Sequence, residues 1–353
     1  MHKYKSIPEQ YTGDNDAVKT CHSRIRRRQS ARPALAAALK PDLNAVNALI
    51  IERMQSDIPL IPQLASHLIG AGGKRIRPLL TLASAALFGY TGTRQHKLSA
   101  CVEFIHTATL LHDDVVDESD QRRGKASANA IFGNEAAVLV GDFLFSRSFQ
   151  LMVEDGSLDV LRILSNASAV IAEGEVLQLT TANNLETTME QYLKVIASKT
   201  AELFAAACET GAVVANRAAG ECMTMREYGM CLGIAFQISD DILDYTASAE
   251  TLGKNLGDDF REGKMTLPVL FALKNATQTE REFWQRTMGD VNQNDGDFEE
   301  AVRIFHRHNA IGQSLTMARE YVARGRQLLN DLPKNEISQD LDDLITFAVE
   351  REY

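Results

Sequence analysis

The sequence predicts an all-α chain, one helical domain behind a loosely structured leader. Apolar residues recur at three- and four-residue spacing along most of it, and no stretch sustains the alternation of a strand. Pro is scarce, at 8 in 353 residues, while Ala and Leu are abundant. Length alone favours two domains, but no Pro-, Gly- or Ser-rich linker divides the chain and no repeat recurs. The expected division is an N-terminal extension over 1–36 and a helical domain over 37–353. A hydrophobic share of 45% suffices for a large core, which excludes disorder throughout.

The opening MHKYKSIPEQYTGDNDAVKT has no apolar signal core. Glu9, Asp14 and Asp16 argue against a transit peptide, despite the basic run RIRRRQSAR at 24–32. Helical spacing starts near Pro41 and runs through AVNALIIERM. GAGGKRIRP at 70–78 reads as a loop entering a helix, with Pro78 in the first turn and LLTLASAALFG running to a Gly stop. HKLSACVEFIHTATLLHDDVVDES is a long apolar helix with an acidic end, followed by a polar loop, DQRRGKAS. NEAAVLVGDFLFSRSFQLM forms the next long helix. Further helices are expected at 158–179, 187–216, 224–247, 266–274, 297–307, 311–330 and 337–349. No apolar run reaches the roughly 18 residues that span a bilayer.

The net charge of −10 makes nucleic acid a poor partner. A small anion could still bind where Lys and Arg gather or metal ions bridge. The five cysteines, Cys21, Cys101, Cys208, Cys222 and Cys231, are odd in number and widely spaced, with no CxxC pair. That usage fits reduced thiols in the cytoplasm, not a disulfide scaffold or a zinc site.

Chemistry concentrates in two acidic motifs. In DDVVD, Asp113 and Asp117 lie one turn apart on the helix that Asp114 shares, so two like charges repel and need a counterion. DDILD repeats the spacing with Asp240, Asp241 and Asp244 behind a second apolar helix. Either motif alone could be a solvated helix end. Two together point to hard-oxygen ligands for Mg²⁺ around a diphosphate. Basic residues flank them: Lys74, Arg75 and Arg77 at a Gly-rich loop, and Arg122 and Arg123 just after DDVVD. Arg forks match phosphate oxygens, and Lys adds point charge. Lys199 and Thr200 interrupt an apolar helix, Gln237 precedes Asp241 by one turn, and Lys254 and Lys264 follow the second motif. Glu103 and His106 form one ExxH, half of a di-iron signature that has no second half here. His106 also lies two turns before Asp113, ~20° away around the helix, and so shares its cavity face. His112 precedes the first motif and reads equally as a packing His. There is no GxSxG, HExxH, P-loop or strand-linked GxGxxG.

Together GGKRIRP, LLHDDVVDESDQRRG, GDFLFSRSFQ, EGEVLQL, SKTAELF, FQISDDILDY and GKNLGDDFREGKMTLP resemble the trans-polyprenyl diphosphate synthases. The resemblance runs from about residue 42 to the C-terminus. It implies an isoprenoid-synthase helical bundle around a deep central cavity, a homodimer, and about three Mg²⁺ ions. Asp113, Asp117, Asp240 and Asp244 would be the metal ligands. Lys74, Arg77, His106 and Arg123 would bind isopentenyl diphosphate. Arg122, Lys199, Thr200 and Gln237 would bind the allylic diphosphate, with Lys254 and Lys264 completing the cradle. The long-chain bacterial members, which make octaprenyl or decaprenyl chains of about 40–50 carbons for quinones, are the most similar. Small residues at Ala108 and Thr109, where short-chain relatives carry bulk, imply an open tunnel, with Phe149 and Met152 as candidates for its floor. A terpene cyclase or head-to-head condenser would lack GGKRIRP and the Arg pair. A non-catalytic subunit would have lost acidic carboxylates.

Overall fold

A computed structural model of the chain describes residues 31–70, 75–122, 125–246 and 256–350. Among these the fold is all-α apart from one two-residue hairpin. α1 (Ala31–Ala38), α2 (Lys40–Arg53) and α3 (Leu60–Gly70) lead into α4 (Ile76–Leu87) and α5 (Arg94–Val116). Strands β1 (Gln121–Arg122) and β2 (Lys125–Ala126) pair antiparallel where a polar loop was expected. α6 (Ala128–Phe132), α7 (Asn134–Asp155) and α8 (Leu158–Thr181) follow.

The helix expected over 187–216 is three segments: α9 (Met189–Ile196), a π-helical turn over Ala197–Ala201, and α10 (Glu202–Val214). α11 (Ala219–Thr246) starts earlier than its apolar spacing predicted. α12 (Asp258–Arg261), α13 (Leu267–Lys274), α14 (Gln278–Trp284), α15 (Asp297–Arg307), α16 (Ala310–Leu328) and α17 (Glu336–Phe347) complete the chain.

α4 and α10 are buried on nearly every face, which is why they read as unbroken apolar runs. α10 packs between α4 and α11, α5 against α4 and α7, and α16 against α11. α1 packs on α17 and buries Leu35 completely, so the helical domain begins upstream of residue 37. By length and average composition α7 could cross a membrane, although Asp142 and Arg147 break its apolar stretch. It packs on α5, with Val138, Leu139, Phe149 and Val153 exposed.

Candidate active site

The C-terminal ends of α5 and α11 face one cavity of about 1260 Å³. Asp113 lies in the last turn of α5, and Asp117 is its C-cap, with φ −83° and ψ 2°. Both line the cavity, as do Asp240 and Asp241. Burial, reinforced by Asp117, raises the pKa of Asp113 above the usual carboxylate range, while Lys199 opposes the rise. Asp114 turns inward, 1% exposed, and accepts from Arg122 Nε at 2.6 Å. It thereby ties the hairpin to α5.

Asp244, expected as a metal ligand, is 1% exposed and is not among the described lining residues. The chain from residue 256 folds back over the end of α11. Asp244 Oδ2 accepts the Asp259 backbone N–H at 3.0 Å, and its carbonyl accepts that of Gly257 at 3.0 Å. It anchors the segment that carries Asp258, Asp259 and Lys264. Burial works against the Lys264 charge, but Asp259, Asp117 and Glu262 outweigh it and raise its pKa. Lys264 Nζ lies 3.5 Å from Asp117 Oδ2.

Lys199 and Thr200 owe their place to the π turn, a local unwinding that often marks functional positions. Lys199 Nζ donates to Glu175 at 2.6 Å and lies 3.7 Å from Asp113. The close approach of α8 needs Gly174, where a Cβ would sit 2.8 Å from the Lys199 backbone nitrogen. Burial and the Asp113 charge push Glu175 up to about 7. The Thr200 hydroxyl donates to Gln237 Oε1 at 2.8 Å, and Gln237 Nε2 donates to Asp241 at 2.7 Å. Burial, with Asp259 nearby, pushes Asp241 up to about 8.

The basic wall lies where α4 meets α5. Arg77 donates to His106 Nε2 at 3.0 Å, and its guanidinium stacks 4.5 Å from the Phe204 ring centre. Arg75, held at φ +48°, forms an ion pair with the buried Glu103. Both members of the ExxH pair are thus engaged by arginine, which removes the di-iron reading. Thr109 lines the cavity, whereas Ala108 is packed in the core at 1% exposure. Phe149 and Met152 do not line it. Phe149 is exposed and meets Phe145 edge-on, and Met152 is buried in the core. His112 packs over Gly141 and donates to the Val138 carbonyl at 3.2 Å, so it joins α5 to α7 instead of entering the cavity. Lys74, Arg123 and Lys254 lie outside the described residues.

Sequence reasoning passed over Glu175, Gln178, Tyr192, Asp259 and the Arg75–Glu103 partnership, all at the cavity wall. The strings EGEVLQL and GDDFREGK contained part of that signal. The partnership joins residues 28 positions apart and has no local signature.

Among the described lining residues, ten carboxylates face five Lys or Arg. Such a cavity repels a diphosphate unless divalent cations intervene, so the donor set fits Mg²⁺. No three His, Cys, Asp or Glu side chains among the described residues already converge on one point.

The pattern of the polyprenyl synthetases matches residues 58–305. The chain belongs to the polyprenyl synthetase family. It is 42% identical to octaprenyl diphosphate synthase of Haemophilus influenzae, over 89% of this chain and 95% of that protein. A decaprenyl diphosphate synthase from Rhodobacter capsulatus superposes with TM-score 0.88 at 52% identity, over 91% of this chain and all of that one (100%). A polyprenyl synthase from Caulobacter crescentus, solved with calcium and isoprenyl diphosphate, gives TM-score 0.88 at 50% identity, over 91% of this chain and 98% of that chain. This polyprenyl synthetase is therefore a prenyltransferase with the all-α fold of its relatives.

Proposed function

We propose that this polyprenyl synthetase adds isopentenyl diphosphate head-to-tail to an allylic diphosphate and makes a long trans-polyprenyl diphosphate. The observation that carries the reading is one cavity lined both by two acidic helix ends and by the Arg77–His106 pair. A single-substrate diphosphate enzyme has no use for that second anion site.

Asp113, Asp117 and Asp240 would hold Mg²⁺, about three ions as in the family resemblance. When bound, Mg²⁺ would supply Lewis-acid stabilisation of the charge that builds on the allylic diphosphate as its C–O bond breaks. Lys199, Thr200, Gln237 and Arg122 orient that diphosphate, with Lys264 and Lys254. Arg77, His106, Lys74 and Arg123 hold isopentenyl diphosphate so that its alkene meets the allyl cation. A proton then leaves, with the released diphosphate as acceptor. Phe204, Phe236 and Leu110 give the cavity an apolar wall that excludes water from the cation.

The named relatives make eight- and ten-unit chains, so the proposed product is about 40–50 carbons, a length used for quinone side chains. Exposed Leu139 and Val153 on α7 support a homodimer. The thiols, four of them free and buried, fit a cytoplasmic protein. The test is separate saturation curves for the two substrates: Arg77→Ala should raise KM for isopentenyl diphosphate and leave that for the allylic diphosphate. Equal rises would sink the two-site division.

A further inference from the structure

The second acidic motif divides its labour. Asp240 faces the cavity, and Asp244 anchors the segment behind it. Asp241 is 4% exposed and has both carboxylate oxygens engaged by neutral donors. Its Oδ1 accepts Gln237 Nε2 at 2.7 Å, and its Oδ2 accepts the Tyr192 hydroxyl at 2.7 Å. Tyr192 is itself 4% exposed and reaches Asp241 from α9. A capping box at Thr188 and Gln191 fixes where that helix starts.

We propose that Tyr192 is a positioning residue for the allylic diphosphate, acting through Asp241 on Gln237 and Thr200. The inference rests on the assignment of Gln237 and Thr200 to that substrate. Asp241 Oδ1 accepts the NH₂ end of the Gln237 amide. The Gln237 oxygen is then turned to Thr200, whose hydroxyl donates to it. Tyr192 pins the other oxygen of the carboxylate and stops it rotating. Without the phenol, Asp241 keeps one anchor and is free to turn, carrying the Gln237 amide with it. A displaced amide no longer meets the Thr200 hydroxyl at the distance that holds both groups at the cavity wall. One phenol thus holds two uncharged binding groups in place through Asp241.

The experiment uses the full chain with Mg²⁺, farnesyl diphosphate and isopentenyl diphosphate. Tyr192→Phe removes only the hydroxyl. The expected result is an about tenfold fall in kcat/KM for farnesyl diphosphate, with KM for isopentenyl diphosphate within about twofold. Because the effect runs through Gln237, Tyr192→Phe should add almost nothing to Gln237→Ala. A merely structural tyrosine would lower the melting temperature, affect both substrates alike, and add in full to Gln237→Ala. Either equal loss for both substrates or full additivity overturns the proposal, as does an unchanged Tyr192→Phe enzyme. If that variant does not fold, Asp241→Asn carries the test with the same two outcomes. Wild-type turnover in parallel separates failure of this role from failure of the functional reading.

Discussion

Asp113 sits against Lys199 on one side and one turn from Asp117 on the other, buried enough that its charge is costly without a counterion. Such a carboxylate is retained for what it binds. Asp113→Ala or Asp240→Ala should cut turnover by orders of magnitude, because stabilising charge on the leaving diphosphate is the main catalytic term. Near-normal turnover of either would contradict the assignment. Arg77→Ala should cost roughly 1.5–3 kcal/mol of isopentenyl diphosphate binding, measured as the rise in its KM. At this scale the sequence was most informative about residues with fixed short-range spacing. Asp113 with Asp117, Lys199 with Thr200, and Gln237 with Asp241 were all legible and all reach the cavity. Asp244 shares that spacing yet serves a backbone N–H, because the chain that folds over it lies beyond any helical repeat. Tyr192 and Glu175 matter through partners 49 and 24 residues away, which no local pattern reveals.

Helices were legible wherever burial was one-sided or complete and long, and α15 was predicted to the residue. α14 was missed because seven residues are too few for a period to show. The π turn was invisible because it changes the hydrogen-bond register, not the composition. Its dependence on a close α8 gives a test: Gly174→Ala should push α8 off Lys199 and lower kcat/KM for the allylic substrate more than for isopentenyl diphosphate. α14 gives another. Glu280 is buried, which alone would raise its pKa, but the Thr277 N–H, His308 and Arg307 hold it down at about 2. A depressed carboxylate contributes stability above its unfolded pKa and loses it as pH falls through the folded one. Glu280→Gln should therefore lower the melting temperature at pH 7, and the difference from wild type should vanish between about pH 4.5 and pH 2. A difference independent of pH would assign the loss to shape instead of charge. On α5, Ala108→Phe with Thr109→Phe should shorten the product, with Thr109 obstructing the cavity directly. Ala108→Phe should also destabilise the packed core by roughly 1–3 kcal/mol. An unchanged product ladder would place chain growth along a different wall.

Over the whole molecule, a chain of net charge −10 handles two anionic substrates by placing five of its described Lys and Arg at one cavity, with carboxylates in excess there. The fold class was legible because nothing in the chain competes with helix. The shape of the cavity was not, because it depends on α4, α5, α8, α10 and α11 meeting across long sequence separations. Metal-dependent, two-substrate chain elongation is the central claim. Its most direct test is incubation with labelled isopentenyl diphosphate, farnesyl diphosphate and Mg²⁺, then chromatography of the dephosphorylated products, with a parallel reaction in excess chelator. The account predicts a ladder that climbs to about 40–50 carbons with Mg²⁺ and no extension with chelator. Extension that persists in chelator, or no extension with Mg²⁺, would contradict it.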